Sequence, residues 1–193
     1  GDCTGHGVPG AFISLIAIML IQEIVFTRKI HAPGEILNCL HQSIKKTLCQ
    51  EEKRDNNGMD AIVCRVKIQE EKAKIHYASA KRPLYFKSPS DQNMQKIKGT
   101  RKSIGGLQNE SIRFETQELE LGKGSMVYLF TDGLVDQNNA LRKKLGEPQL
   151  LLQLNQIFAQ KAPEQKHQLD ELLDQHMSET TQRDDITGLG FRV

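Results

Sequence analysis

The order in which this sequence changes its hydrophobic period restricts its fold more than any other feature. Between residues 9 and 49, apolar residues recur at the three- and four-residue spacing that is typical of helices. Residues 59–130 carry short β-branched and aromatic runs separated by charged turns, which indicates strands and hairpins. Residues 149–177 return to helical spacing, and "DDITGLGFRV" ends the chain as a strand. This order predicts an α+β fold whose sheets are largely antiparallel.

The composition excludes several classes of protein. A length of 193 residues with 38% hydrophobic residues fits one globular domain. The 26 basic and 24 acidic residues nearly cancel, so no global field favours binding to nucleic acid or anionic lipid, and we expect no nucleic-acid partner. The four cysteines form no CxxC pair, which argues against a zinc site or a disulfide scaffold and fits a reducing, cytoplasmic setting.

The most apolar run, from Ala11 to Ile21, bears on membrane attachment. Its spacing predicts a helix that is buried on most of its surface. The run is interrupted by Ser14 and followed by Gln22 and Glu23, so it falls short of the roughly 20 apolar residues that a bilayer-spanning helix needs. We therefore predict no membrane helix and no direct membrane contact.

The polar segment from Pro89 to Gln108, called the basic connection below, contains four basic residues. It is predicted to be long and irregular, and connections of this kind are often functional or mobile. Its positive charge suits an acidic or phosphorylated partner, and an ordinary solvated loop is the alternative. The basic residues are Lys96, Lys98, Arg101 and Lys102.

Acidic residues lie at three places where predicted strands or glycine turns meet loops. They are Asp2 in "GDCTGHG", Asp132 in "LFTDG", and the pair Asp184 and Asp185 in "RDDIT". Each acid alone also has a structural explanation, because aspartate is favoured in turns and at the start of strands. Together they supply the oxygen ligands that hard divalent cations prefer, so Mg²⁺ or Mn²⁺ fits better than zinc.

The glycine-rich start of the chain is a second candidate for chemistry. Gly5 and Gly7 allow close approach of the backbone and place N–H groups near a helix N-terminus, where a phosphate or a metal-bound water fits. His6 lies between them and is a candidate for metal ligation or general acid catalysis. The alternative for His6 is a hydrogen bond that only orients its neighbours.

Seven segments follow one another along the chain in a specific order. They are "GDCTGHGVPGAF", "GMDAIV", "YASAKRPLYF", "SIGG", "SMVYLFTDGLVDQ", "KKLGEPQL" and "RDDITGLGFRV". Together they resemble the SpoIIE-like bacterial branch of the metal-dependent (PPM-type) serine/threonine protein phosphatases. The resemblance implies a four-layer αββα sandwich, in which two antiparallel sheets pack face to face with helices outside. It also implies hydrolysis of phosphoserine or phosphothreonine at two Mn²⁺ or Mg²⁺ ions.

The same resemblance assigns roles to individual residues. It implies that Asp2 bridges the two metals and that Cys3 supplies its backbone carbonyl as a further ligand. Asp132 and Asp184 match the other metal-binding acids, and Asp185 is a further candidate. Catalysis is then expected to use a metal-activated water at Asp2 and Asp132, without a covalent enzyme intermediate.

Two departures from the family pattern matter. Family members commonly carry a small-residue and histidine motif where this chain has "SAKRPLY", and there Lys81 or Arg82 could contact a phosphate instead. The family's upstream strand, which ends in a "GGD"-type motif whose acid completes the metal site, has no counterpart before Gly1. We therefore expect residues 1–193 to be an N-terminally truncated fragment of a longer signalling protein. Such a fragment would lack one metal ligand and expose a strand edge, which predicts weak or absent activity and a homodimer.

The resemblance also indicates the setting of the domain. It implies a phosphoprotein substrate, with an anti-sigma factor antagonist as the expected class, and a sensor or receiver domain upstream. The expected location is the cytoplasm, with a tether to a membrane sensor in the full-length protein as a further possibility. The alternative function is a non-catalytic interaction module that keeps the fold and binds a regulatory partner.

Overall fold

Helices and strands follow one another in the order that the sequence predicts. A computed structural model describes residues 1–5, 7–108, 111 and 113–193. The helices are α1 (Gly7–Gln22), continued by a π-helical segment (Glu23–Thr27), α2 (Pro33–Thr47), α3 (Gln50–Lys53), α4 (Gly133–Asp136), α5 (Glu147–Ile157) and α6 (Ala162–Met177). The strands are β1 (Asp2–Cys3), β2 (Gly58–Ile68), β3 (Lys72–Ala80), β4 (Leu84–Lys87), β5 (Gln95–Ile97), β6 (Ile104–Gly105), β7 (Gln117–Gly122), β8 (Met126–Phe130) and β9 (Gly188–Arg192). The expected α+β class with two antiparallel sheets is confirmed.

The chain divides into two compact units. The first unit comprises Gly1–Pro83 and Lys98–Leu121, and the second comprises Leu84–Ile97 and Gly122–Val193. The first contains the sheet β1–β2–β3–β7, with β6 also paired to β2, and the second contains the sheet β5–β4–β8–β9. Each unit has its own cluster of buried apolar side chains.

A long hairpin organises the first unit. Strands β2 and β3 pair antiparallel along most of their length, and the charged turn between them lies outside the pairing. On the other edge of β2, β1 pairs antiparallel so that Asp2 lies opposite Asp60 and Cys3 lies opposite Met59. The register of β1 on β2 therefore determines which side chains stand beside Asp2.

Helix α2 forms the core of the first unit with this hairpin. Its apolar residues Leu37, Leu40 and Ile44 are fully buried and belong to one cluster with Met59 and Ala61 of β2. Burial of a side chain of this size stabilises the fold by about 1.5–3 kcal/mol. The amphipathic pattern of α2 thus holds β2 in position.

Helix α1 departs from two of the sequence predictions. With its π-helical extension the apolar helix covers Gly7–Thr27, so by length and composition alone it is long enough to cross a membrane. The core helix of a soluble protein and a signal sequence meet the same criterion. The prediction that the run is too short is wrong, because the helix continues through Glu23. The helix is also not buried on most of its surface, since Val8, Phe12 and Met19 are 69%, 61% and 61% exposed.

Strand β8 is an inner strand of the second unit's sheet and leads into the candidate site. Its Tyr128 is buried in a cluster with Leu150 and Leu154 of α5. The Tyr128 hydroxyl donates a hydrogen bond to Gln165 Oε1 of α6 at 2.7 Å. The apolar strand ends one residue before Thr131, so its packing fixes the turn that follows.

The basic connection is more ordered than the sequence predicts. It contains β5 and β6, and it contributes residues to both units. Lys96 Nζ lies 2.5 Å from a carboxylate oxygen of Glu147, and Lys102 is only 2% exposed. One of the four basic residues is therefore held in an ion pair and another is buried, and Lys98 and Arg101 are exposed.

Candidate metal centre

Asp132 stands at the end of β8 in the second unit. The strand ends at Phe130, and Asp132 immediately precedes α4, which begins at Gly133. The Asp132 carbonyl accepts a hydrogen bond from the Asp136 N–H at 2.8 Å, which closes the first turn of α4. The first three residues of β8 are buried, and they fix the position of the partly exposed Asp132 just beyond the end of the strand.

The two acidic segments of the second unit lie against each other. Thr131 N–H donates to the Thr187 carbonyl at 3.0 Å, and Thr187 N–H donates to Thr131 Oγ1 at 2.9 Å. Gly133 packs so closely that a Cβ there would lie 2.5 Å from the Asp185 carbonyl oxygen. The turn that carries Asp132 is therefore held against the "DD" segment.

Asp184 and Asp185 are both exposed at the entry to β9. The Asp185 N–H donates to Asp184 Oδ1 at 2.8 Å, and Gln182 Nε2 donates to the Asp184 carbonyl at 2.7 Å. This is the structural role that aspartate often has before a strand. A carboxylate has two oxygens with several acceptor positions, so the local bond leaves Asp184 able to bind a cation as well.

The start of the chain places the other predicted ligands in the first unit. Asp2 and Cys3 form the short strand β1, and both are partly buried. The backbone then turns through Gly5 and Gly7, whose φ angles of 90° and 66° lie in the left-handed region that favours glycine. His6 lies outside the described residues. The glycines are thus accounted for by the geometry of the turn into α1, and a phosphate contact at Gly5 or Gly7 stays a prediction.

A charged cluster surrounds Asp2, and two of its members, Asp60 and Ser103, are not among the residues that the sequence predicts. Arg82 Nη2 lies 2.5 Å from Asp60 Oδ2 and 3.7 Å from Asp2 Oδ2. The Ser103 hydroxyl donates to Asp60 Oδ1 at 2.6 Å, and Lys81 Nζ lies 3.8 Å from the same oxygen. The side chains of Asp60 and Arg82 are only 10% and 17% exposed, whereas that of Lys81 is 50% exposed. Arg82 is therefore an internal ion-pair partner, and Lys81 is peripheral.

Asp60 had a signal in the sequence that could have identified it. It lies inside "GMDAIV", where its neighbours in the strand are apolar and buried. A charged side chain at such a position is rarely buried without a partner. The partner follows β3, and a sequence without a known register does not indicate which cation it is.

The predicted ligands have the donor chemistry that suits hard divalent cations, and they belong to different units of the chain. Asp2 and Cys3 belong to the first unit, and Asp132, Asp184 and Asp185 belong to the second. Carboxylate and carbonyl oxygens are the ligands that Mg²⁺ and Mn²⁺ prefer. Within the part of the chain that the structure describes, no group of three or more His, Cys, Asp or Glu side chains is arranged to hold a metal ion. The assignment of individual ligands is therefore untested by this arrangement.

Comparison with solved structures gives the class of protein that this fold defines. The chain is similar to the SiaA-PP2C domain of Pseudomonas aeruginosa, with 28% identity and a TM-score of 0.81 over 99% of this chain and 73% of that one. It is also similar to the PP2C phosphatase domain with a fragment of the regulatory domain of SpoIIE from Bacillus subtilis, with 17% identity and a TM-score of 0.71 over 100% of this chain and 52% of that one. PppA of Pseudomonas aeruginosa matches with 16% identity and a TM-score of 0.59, over 98% of this chain and 82% of that one. The fold is that of a PP2C-type phosphatase domain.

The family is shown by sequence. The model of the family described as stage II sporulation protein E (SpoIIE) matches residues 1–193, so the chain belongs to the SpoIIE family. A comparison with curated protein sequences gave no match. The resemblance drawn from the seven ordered segments is thereby confirmed.

Proposed function

We propose that this domain is a metal-dependent phosphatase that hydrolyses phosphoserine or phosphothreonine on a regulatory protein. The observation that carries the proposal is the hydrogen-bonded junction of Thr131 and Thr187, which joins the "TDG" turn to the "DD" segment. Membership of the SpoIIE family and the PP2C-type fold support it. The metals proposed are two Mn²⁺ or Mg²⁺ ions.

Each proposed ligand has a place in the chain. The proposed ligands are Asp2, the Cys3 backbone carbonyl, Asp132 and Asp184, with Asp185 as a further candidate. When bound, two such ions lower the pKa of a water and neutralise charge on phosphoryl oxygens. The protein itself would orient these oxygen ligands through the strands and turns that carry them.

Arg82 is proposed as a residue beside Asp2 that can bind a phosphoryl oxygen. Its guanidinium lies 3.7 Å from Asp2 and is fixed by Asp60, so it has little freedom to lose on binding. The planar guanidinium matches phosphate geometry better than an ammonium does. Lys81, which is half exposed, is the weaker candidate for this role.

The substrate class, setting and partners are also proposals. We propose a phosphorylated regulatory protein, with an anti-sigma factor antagonist as the class, controlled by a sensor or receiver domain elsewhere in the protein. A cytoplasmic location of the domain, alone or tethered to a membrane sensor, belongs to the same proposal. A non-catalytic interaction module remains the alternative, and the experiment below separates the two.

The substitution Asp132→Asn tests the proposal. We expect Mn²⁺-dependent turnover of a phosphopeptide and of p-nitrophenyl phosphate to fall by about 100-fold or more in the longest soluble form of the protein, because one carboxylate fewer weakens cation binding and water activation. Circular dichroism should be unchanged, since the carboxylate is replaced by an amide of the same shape.

Asp136→Asn is the matched control. Asp136 is the last residue of α4, the short helix that Asp132 immediately precedes, and its carboxylate is 3.0 Å from Lys144 Nζ in an exposed pair. Its loss should leave turnover within about twofold, because an exposed ion pair contributes little. Equal turnover by the Asp132→Asn variant and the parent protein at limiting Mn²⁺ would remove Asp132 from the site, and no hydrolysis by the parent would favour the interaction module.

A further inference from the structure

The cluster beside Asp2 contains two carboxylates and one buried cation that both of them can reach. Arg82 Nη2 is within ion-pair distance of both carboxylates. It lies 2.5 Å from Asp60 Oδ2 and 3.7 Å from Asp2 Oδ2, so Asp60 is the closer partner. We propose that Asp60 is a positioning residue that holds the Arg82 guanidinium at 3.7 Å from Asp2 and so keeps Arg82 from pairing with Asp2 more closely, in competition with a divalent cation. The proposal rests on the proposed function, because it treats Asp2 as a metal ligand.

The backbone around Arg82 is fixed in a way that suits this role. Lys81 has a φ of 60°, in the left-handed region, and the Ser79 hydroxyl donates to the Arg82 carbonyl. Gly99 packs against this turn, where a Cβ would lie 2.8 Å from the Arg82 carbonyl oxygen. A non-glycine residue in this conformation is costly and persists only where its surroundings enforce it. Arg82 therefore leaves the end of β3 in one direction, towards Asp60.

Ser103 extends the cluster to the basic connection. Its hydroxyl donates to Asp60 Oδ1, while Arg82 binds Oδ2, so the two oxygens of the carboxylate have different partners. The Ser103 backbone is itself held, because its N–H donates to Gln108 Oε1 at 3.0 Å and its carbonyl accepts from Gln108 Nε2 at 2.9 Å. The hydroxyl thus orients Asp60 so that Oδ2 faces the guanidinium.

The physical consequence follows from competition for a carboxylate. A guanidinium that binds Asp2 fully would neutralise the charge that a divalent cation needs and would have to be displaced before the cation binds. Asp60 prevents this as long as it is ionised and oriented. Removing the charge of Asp60 should therefore release Arg82 to Asp2 and weaken cation binding, even though Asp60 itself is not proposed as a ligand.

The first test needs no metal. Urea unfolding in EDTA measures the coupling between Asp2 and Arg82 through the variants Asp2→Asn, Arg82→Gln and their combination, once in the parent chain and once with Asp60→Asn. We expect the coupling to change the unfolding constant by less than about threefold in the parent and by about tenfold or more with Asp60→Asn, or about 1.4 kcal/mol. Equal coupling in both backgrounds would overturn the proposal.

The second test uses Mn²⁺ alone as the probe. Isothermal titration should give about tenfold weaker Mn²⁺ binding for Asp60→Asn, and the double variant Asp60→Asn/Arg82→Gln should regain the affinity of Arg82→Gln to within about threefold. A variant that had merely damaged the fold would not be rescued by a second substitution. Ser103→Ala should shift the affinity in the same direction as Asp60→Asn, by a smaller factor.

Lys72→Gln is the control for charge removal from β3. Lys72 Nζ of β3 lies 2.6 Å from a carboxylate oxygen of Glu120 of β7 in an exposed pair, so loss of the Lys72 charge should leave Mn²⁺ affinity within about twofold. Unchanged Mn²⁺ affinity in Asp60→Asn would overturn the positioning role. If the parent protein bound no Mn²⁺, the proposed function would fail, and the coupling measured in EDTA would still decide whether Asp60 holds Arg82 away from Asp2.

Discussion

The charged residues of the first unit form two kinds of ion pair, one buried within the fold and the other exposed to solvent. Asp60 and Arg82 are largely buried and bind each other, so the loss of either one leaves a desolvated charge. Lys72 with Glu120 and Lys74 with Glu118 are ion pairs between exposed side chains, where water and salt screen the attraction. The pKa of Glu118 is lowered chiefly by its hydrogen bond to Lys74. Only the first kind of pair fixes geometry near a site.

The cysteines give a prediction at this scale. Burial raises the pKa of the Cys64 thiol to about 11, whereas Cys49 is exposed. Because the thiolate is the reactive form, we expect iodoacetamide at pH 8 to modify Cys64 at least about tenfold more slowly than Cys49. Timed alkylation followed by peptide mass spectrometry measures both rates in one sample. Equal rates in the native protein would contradict the burial of Cys64, and equal rates in urea are the expected control.

At the scale of elements, the junction between β8, α4 and the entry to β9 depends on one close backbone approach. Gly133 faces the Asp185 carbonyl, and Thr131 and Thr187 bind each other on the preceding side. Two short segments from distant parts of the sequence therefore meet without a side chain between them. Any residue larger than glycine at position 133 must push them apart.

The substitution Gly133→Ala should accordingly destabilise the protein. We expect a loss of about 1–3 kcal/mol in the free energy of unfolding by urea, because the added Cβ would lie 2.5 Å from the Asp185 carbonyl oxygen. Gly122→Ala is the matched control, since a Cβ there has no neighbour within 4 Å. If both variants unfolded at the same urea concentration, the close approach at Gly133 would be refuted.

The elements also show what the sequence could and could not predict. Long periodic segments such as α2 and the hairpin β2–β3 were predicted, because an apolar stripe is visible over ten or more residues. The strands β1, β5 and β6 have two or three residues each, too few to display a period. The stretch after α2 is polar in sequence, yet Gln50 within it is fully buried and its Oε1 accepts a hydrogen bond from the Gly106 N–H at 2.7 Å. Its burial follows from a distant loop that no local pattern reveals.

The residues of the candidate site also divide into those with a local sequence signal and those that depend on distant contacts. The acids Asp2, Asp132 and Asp184 could be selected because each stands beside a glycine or a strand end. Asp60 and Ser103 were not selected, because their roles depend on the pairing of β1 with β2 and on a segment 43 residues away. The sequence indicates which residues can bind a cation, whereas the partners of a buried charge depend on how the strands pair.

For the whole molecule, charge and exposed apolar surface act together. The formal net charge is +2 at pH 7 and the isoelectric point is about 8.3, so repulsion between copies is weak near pH 8. Helix α1 exposes several large apolar side chains along its length, including Phe12, Leu15 and Met19. Contiguous apolar surface of this kind favours association when charge does not oppose it.

We therefore predict that residues 1–193 self-associate more strongly at pH 8.3 than at pH 6.0. The net charge is near zero at the isoelectric point of about 8.3 and becomes more positive at lower pH, which raises repulsion between copies at pH 6.0. Sedimentation velocity at both pH values in low salt should show a larger share of dimer or higher species at pH 8.3. Phe12→Gln/Met19→Gln, which changes two side chains that are each 61% exposed, should reduce association at pH 8.3 while leaving the unfolding midpoint nearly unchanged. Association that is equal at both pH values and insensitive to this double substitution would show that another surface drives it.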